Sequence, residues 1–96
     1  MTVLDACLSP HVVMAQRDHA RLEWRRPYLA LGRVRSVAWT CFCRATVYEL
    51  CEGAGRAFLR RTVQRDGGDD EVHETRTWPV GEARVIWTAL LSGRAR

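Results

Sequence analysis

From Thr46 onward, apolar and polar positions alternate in short runs separated by glycine-rich breaks; before it the pattern is looser. Thr46 to Cys51 (TVYELC) is rich in β-branched and aromatic residues and predicts a strand. Glu52-Gly-Ala-Gly55 predicts a turn, and Arg56 to Gln64 (RAFLRRTVQ) the returning strand. On that strand Ala57, Leu59 and Val63 share one face, interrupted by Arg61, and Phe58 lies on the other. Asp66-Gly-Gly-Asp-Asp70 predicts a second hairpin turn. Glu71 to Trp78 predicts a third strand, with Val72, Glu74, Arg76 and Trp78 on one side.

The period then changes. Pro79 suits a first helical position, and Val80, Ala83, Trp87, Leu90 and Leu91 recur at helical spacing, widened by Ile86. Gly93 fits the C-terminal cap. The expected fold is α+β: a three-stranded antiparallel meander over about 46–78, followed by a helix over about 79–92. Ahead of it, Ser9-Pro10 predicts the start of an N-terminal helix over about 10–25, ended by Pro27, and residues 33–43 favour an extra strand. The chain divides into a basic, partly ordered N-terminal segment, residues 1–44, and a β-β-β-α domain, residues 45–96.

Charge sharpens that division. All 15 basic residues are arginine, and with 11 carboxylates the net charge is +4. Seven arginines face Asp5, Asp18 and Glu23 in residues 1–44, whereas residues 45–96 are balanced at eight of each sign. At 96 residues the chain has room for one modest core, which excludes multidomain enzymes and large cofactor folds. The apolar run from Val37 to Cys43 is far short of the ~20 residues of a spanning helix. The opening MTVLDACLSP lacks a basic, then apolar, leader pattern, so a cytoplasmic protein with reduced thiols is expected.

Several constellations bear on chemistry. Cys41-x-Cys43 with Cys51 and His73 offers four metal donors. Structural zinc sites usually carry paired C-x₂₋₄-C knuckles, so the expectation is thiols acting as small hydrophobes, with no metal and no cofactor. Cys51, His73 and Glu74 can be assembled into a nucleophilic triad, or His73 combined with Arg60 and Arg61 in a toxin-like enzyme, but no local signature accompanies either. The Gly-rich turn at 52–55 precedes a strand, not a helix, and so lacks a phosphate-binding dipole. Arg17, Arg21 and Arg25 fall on one face of the expected first helix; Arg26, Arg33 and Arg35 follow, interleaved with Trp24, Tyr28 and Trp39. Those six arginines are the candidate contacts to DNA or RNA phosphates. Trp78, Trp87, Leu91, Arg60 and Arg61 are the candidate protein interface, because Trp and Arg anchor interfaces. Arg61, set among apolar neighbours, calls for a carboxylate partner in Glu74 or Glu49.

Tyr48-Glu-Leu-Cys51, Phe58-Leu-Arg-Arg-Thr62, His73-Glu-Thr75, and a helix with Trp87 closing in Leu90-Leu-Ser-Gly-Arg-Ala-Arg96 resemble the BldB-like small actinobacterial regulatory proteins. The resemblance covers about half of the chain. It implies a non-enzymatic, self-associating protein of transcriptional or developmental control, and assigns no functional residue. The leading expectation is therefore a non-catalytic module that binds another protein, as a homodimer or with another regulatory protein, away from any membrane. Nucleic-acid binding through the arginine-rich half is one alternative, and a small enzyme or toxin-like protein using His73 and Arg60/Arg61 is the other.

Overall fold

The computed structural model describes residues 7–27 and 33–96. Its elements run β1 (Arg35–Trp39), β2 (Thr46–Gly53), β3 (Arg56–Val63), β4 (Glu71–Glu74), β5 (Trp78–Pro79) and α1 (Val80–Leu91). The strands form one antiparallel sheet in the order β1-β2-β3-β4, with β5 pairing the far end of β3. The antiparallel meander and the C-terminal helix are present, with Pro79 as the N-cap of α1, paired to Arg56, rather than its first helical residue, and the extra strand is β1.

Register gives the sheet two dissimilar faces. Tyr48, Leu50, Ala57, Leu59 and Trp78 meet Ala83, Trp87 and Leu90 of α1 in the main core. Leu59 and Leu90 are fully buried, each contributing on the order of 2 kcal/mol. The opposite face carries Val47, Cys51 and Phe58, also buried.

The β2–β3 hairpin closes through Ala54 and Gly55, both with positive φ, the type I′ geometry that matches strand twist. Gly53 has another job. A Cβ there would lie 2.6 Å from the Arg33 carbonyl oxygen, so the chain entering β1 can pass only over a glycine. Helix α1 ends in a Schellman motif. Gly93 N–H donates to Leu90 O (3.2 Å) and Arg94 N–H to Ala89 O (2.8 Å), with Gly93 left-handed.

Three expectations need correcting. The N-terminal helix over 10–25 is absent. Residues 7–27 instead form no helix or strand, only a turn and single bridges from Ala20 to Ala95 and from Arg25 to Glu74. Val13 N–H donates to Leu91 O (2.9 Å), Gln16 N–H to Gly93 O (2.8 Å) and Ala20 N–H to Arg94 O (2.8 Å). Arg25 and Glu74 exchange both backbone bonds, at 2.9 and 2.7 Å. Backbone groups that a helix would satisfy internally are taken by the helix end and by β4, while Val12, Leu22 and Trp24 pack on the core.

The third strand is broken at residues 75–77. Buried Thr75 takes both backbone groups of Leu59, donating N–H to its carbonyl and accepting its N–H at Oγ1 (3.0 Å each). The interruption shifts the alternation, so Trp78 reaches the helix side while Glu74 stays on the other. Lastly, the carboxylates belong to Arg60, not Arg61. Arg60 lies opposite Glu49 and Glu74 and contacts them at 3.9 and 2.9 Å. Arg61 lies opposite Tyr48 and His73 and stacks over Trp24, 4.7 Å from its ring centre.

Candidate metal centre

Where the N-terminal segment begins, it is fastened to the β1–β2 loop. The Pro10 carbonyl accepts the Cys41 N–H at 2.9 Å. That bond sets Cys7 and His11 beside Cys41 and Cys43. The sulfurs of Cys7 and Cys43 are 3.7 Å apart, and His11 Nε2 is 3.2 Å from Cys43 Sγ. All four donor atoms lie within 4.8 Å of one another.

A zinc ion with Zn–S of about 2.3 Å and Zn–N of about 2.0 Å makes a tetrahedron with edges of roughly 3.5–3.8 Å. The Cys7–Cys43 separation matches such an edge, the His11–Cys43 separation is slightly shorter, and no pair of the four donor atoms exceeds 4.8 Å. Three thiols and one imidazole are a zinc donor set, soft enough to disfavour magnesium and calcium. Four protein ligands leave no open position for water or substrate, the mark of a structural site rather than a catalytic one.

The metal-free electrostatics suit ligation. The Cys43 N–H points to Cys41 Sγ at 3.5 Å, and this bond, with the neighbouring thiols and His11, holds the Cys41 thiol down to about 6. Cys7, donating to the adjacent sulfurs, is pushed up to about 12 and holds its proton. A cation at the centre would displace it.

The cluster differs from the set weighed from sequence. Cys41 and Cys43 belong to it; Cys51 and His73 do not. Cys51 is fully buried on the Phe58 face, its thiol pushed up to about 11 by that burial, whereas His73 pairs with Arg61 on the helix side. The sheet itself separates the two, so the Cys51–His73–Glu74 triad is not assembled. The overlooked signal was Cys7-x₃-His11, which reads as isolated if His11 opens a helix.

The other candidate residues are dispersed. Trp78 and Trp87 are spent inside the core and Leu91 packs against it. Arg60 is held by two carboxylates, and Arg61 by a ring. Arg17, Arg21 and Arg26 are exposed along the N-terminal segment, Arg25 is half-buried beside β4, and Arg33 and Arg35 are exposed at β1. Tyr28 lies outside the described residues. No family model, curated protein or solved structure matches the chain. No described helix is long and apolar enough to cross a membrane.

Proposed function

We propose that this protein is a small, non-catalytic binding module whose N-terminal segment is locked onto the sheet by one structural zinc ion, held by Cys7, His11, Cys41 and Cys43. The observation that carries the reading is the convergence of a complete three-thiol, one-imidazole set from two segments about 30 residues apart. A domain of this size has a modest core, and a metal clip is a common way to supplement one. The ion would join residues 7–11 to residues 41–43, making the position of the N-terminal segment metal-dependent.

Metal analysis of protein purified without chelator tests this. One zinc per chain is expected, absent from Cys43→Ala and kept by Cys51→Ala. A folded chain with four reduced thiols and no affinity for zinc contradicts it, as does a metal-free Cys7–Cys43 disulfide. Self-association in transcriptional or developmental control, which the resemblance to the BldB-like proteins implies, belongs to the same proposal. Light scattering then gives twice the 11.0 kDa of one chain; a monomer at working concentration removes that part.

A further inference from the structure

The four donor residues of the cluster stand at the surface. Cys7, His11 and Cys43 are exposed. Leu8 and Phe42, the residues beside Cys7 and Cys43, are 99% and 63% exposed. A small oxidant in solution therefore meets these sulfurs without any opening of the fold. Cys51, by contrast, is fully buried and lies outside the cluster.

Two of the three sulfurs already face each other. Cys7 Sγ and Cys43 Sγ are 3.7 Å apart. A disulfide of about 2.05 Å requires them to close by under about 2 Å. The two residues are 36 positions apart and belong to different segments, so a bond between them ties the N-terminal segment to the β1–β2 loop. That is the junction a zinc ion would make. Cys41 is placed otherwise: it is half-buried, and its sulfur is already engaged by the Cys43 N–H at 3.5 Å.

We infer that hydrogen peroxide exchanges the zinc ion for a Cys7–Cys43 disulfide, so that oxidation releases the metal while the N-terminal segment stays fastened. The inference rests on the zinc reading and names the regulation of that same site. Zinc carries no redox chemistry of its own, so the electrons come from the sulfurs. One thiolate of the pair attacks a peroxide oxygen. The S–O bond forms, the O–O bond breaks, and the departing hydroxide takes up a proton to leave as water. The second thiolate attacks the sulfenic sulfur. The S–S bond forms, the S–O bond breaks, and a second hydroxide is protonated to water. The two sulfurs have lost two electrons and the peroxide has become two waters. Only His11 and Cys41 then remain as donors, half of a closed zinc shell, and the ion dissociates. Removal of zinc by a chelator has a different outcome, because no covalent bond then spans the two segments.

Peroxide treatment of the reduced, zinc-loaded full-length protein tests this, read by a zinc-binding dye, disulfide mapping by mass spectrometry and thermal unfolding. In the reduced protein the metal holds the site, and the bridge appears only after peroxide. One zinc per chain should be released for each peroxide consumed, with the bridge mapped to Cys7 and Cys43. The oxidised, metal-free chain should melt within about 5 °C of the zinc-loaded one, because a disulfide closing a loop this long stabilises by about as much as the metal. The reduced, chelated chain should melt well below both. Dithiothreitol with added zinc should restore the starting state, and Cys51→Ala should behave as the parent chain does. Any other bridge, oxidation without a bridge, or zinc retained through oxidation overturns the inference and leaves the zinc reading intact. So does an oxidised chain that melts with the chelated one, well below the zinc-loaded protein. Reduced protein that takes up no zinc ends the zinc reading before peroxide is added, and the exchange with it, so the two failures are told apart.

Discussion

Arg60 and Arg61 are neighbours in sequence with opposite fates. Arg60 compensates Glu74, a carboxylate only 7% exposed. Its removal leaves that charge buried and unpaired. Arg60→Met should therefore cost about 3 kcal/mol in urea unfolding. Arg61 contacts a ring and, among the described residues, no carboxylate, so Arg61→Met should cost under about 1 kcal/mol. Cys51 makes a pH prediction. Burial raises its thiol from 9.0 to about 11 in the folded chain. The folded state keeps the proton that the unfolded state releases, so this contribution is complete below pH 9 and declines as pH rises toward 11. The decline approaches about 2 kcal/mol, read as a falling urea midpoint between pH 8.5 and 11 that Cys51→Ala flattens. Which arginine met the carboxylates was not legible, because strand alternation shows which residues share a face but not which cross-strand residue stands opposite. That depends on hairpin register, set here by Ala54-Gly55 occupying the turn.

Among the elements, the meander and α1 were readable because their patterns had one solution. The alternation of β2 and β3 and the stripe on α1 bury their apolar faces only against each other. The N-terminal segment had two. Arginines at 17, 21 and 25 are spaced by four, which fits one helix face and also one side of an extended chain. What decided it was external: the carbonyls at the end of α1, the β4 edge, and Cys41, which uses the Pro10 carbonyl. None of these partners can be seen from the local sequence, and neither can the Cys7–His11–Cys41–Cys43 cluster, half of which lies on that segment. The β2–β3 turn gives a prediction at this scale. Ala54 has φ of 53°, a strained conformation for any residue with a Cβ, so Ala54→Gly or Ala54→Asn should raise stability by about 0.5–1 kcal/mol. Gly53→Ala should lower stability, because its Cβ meets backbone at Arg33. Thermal unfolding of the variants checks both directions.

For the whole molecule, the basic half is not separate from the balanced half. The N-terminal segment bonds to the end of α1 and to β4, and through Pro10 to the β1–β2 loop. A zinc ion would close this circuit at the outer end. Zinc at about 1,000 times its dissociation constant would add about 4 kcal/mol, so chelation should lower the melting temperature by more than about 10 °C in a domain of this size. Amide exchange should then rise first at Cys41 and Val13, whose N–H groups are held by Pro10 and Leu91. If the segment stays protected and the melting temperature is unchanged without metal, the clip is not needed for its placement.

X-ray absorption at the zinc edge of the loaded protein tests the central claim most directly. The structure predicts a shell of three sulfurs at about 2.3 Å and one imidazole nitrogen at about 2.0 Å. Disappearance of one sulfur on Cys7→Ala, and no change on Cys51→Ala, would assign the shell to Cys7, His11, Cys41 and Cys43. A shell of oxygen and nitrogen without sulfur would contradict the account, as would four sulfurs that include Cys51.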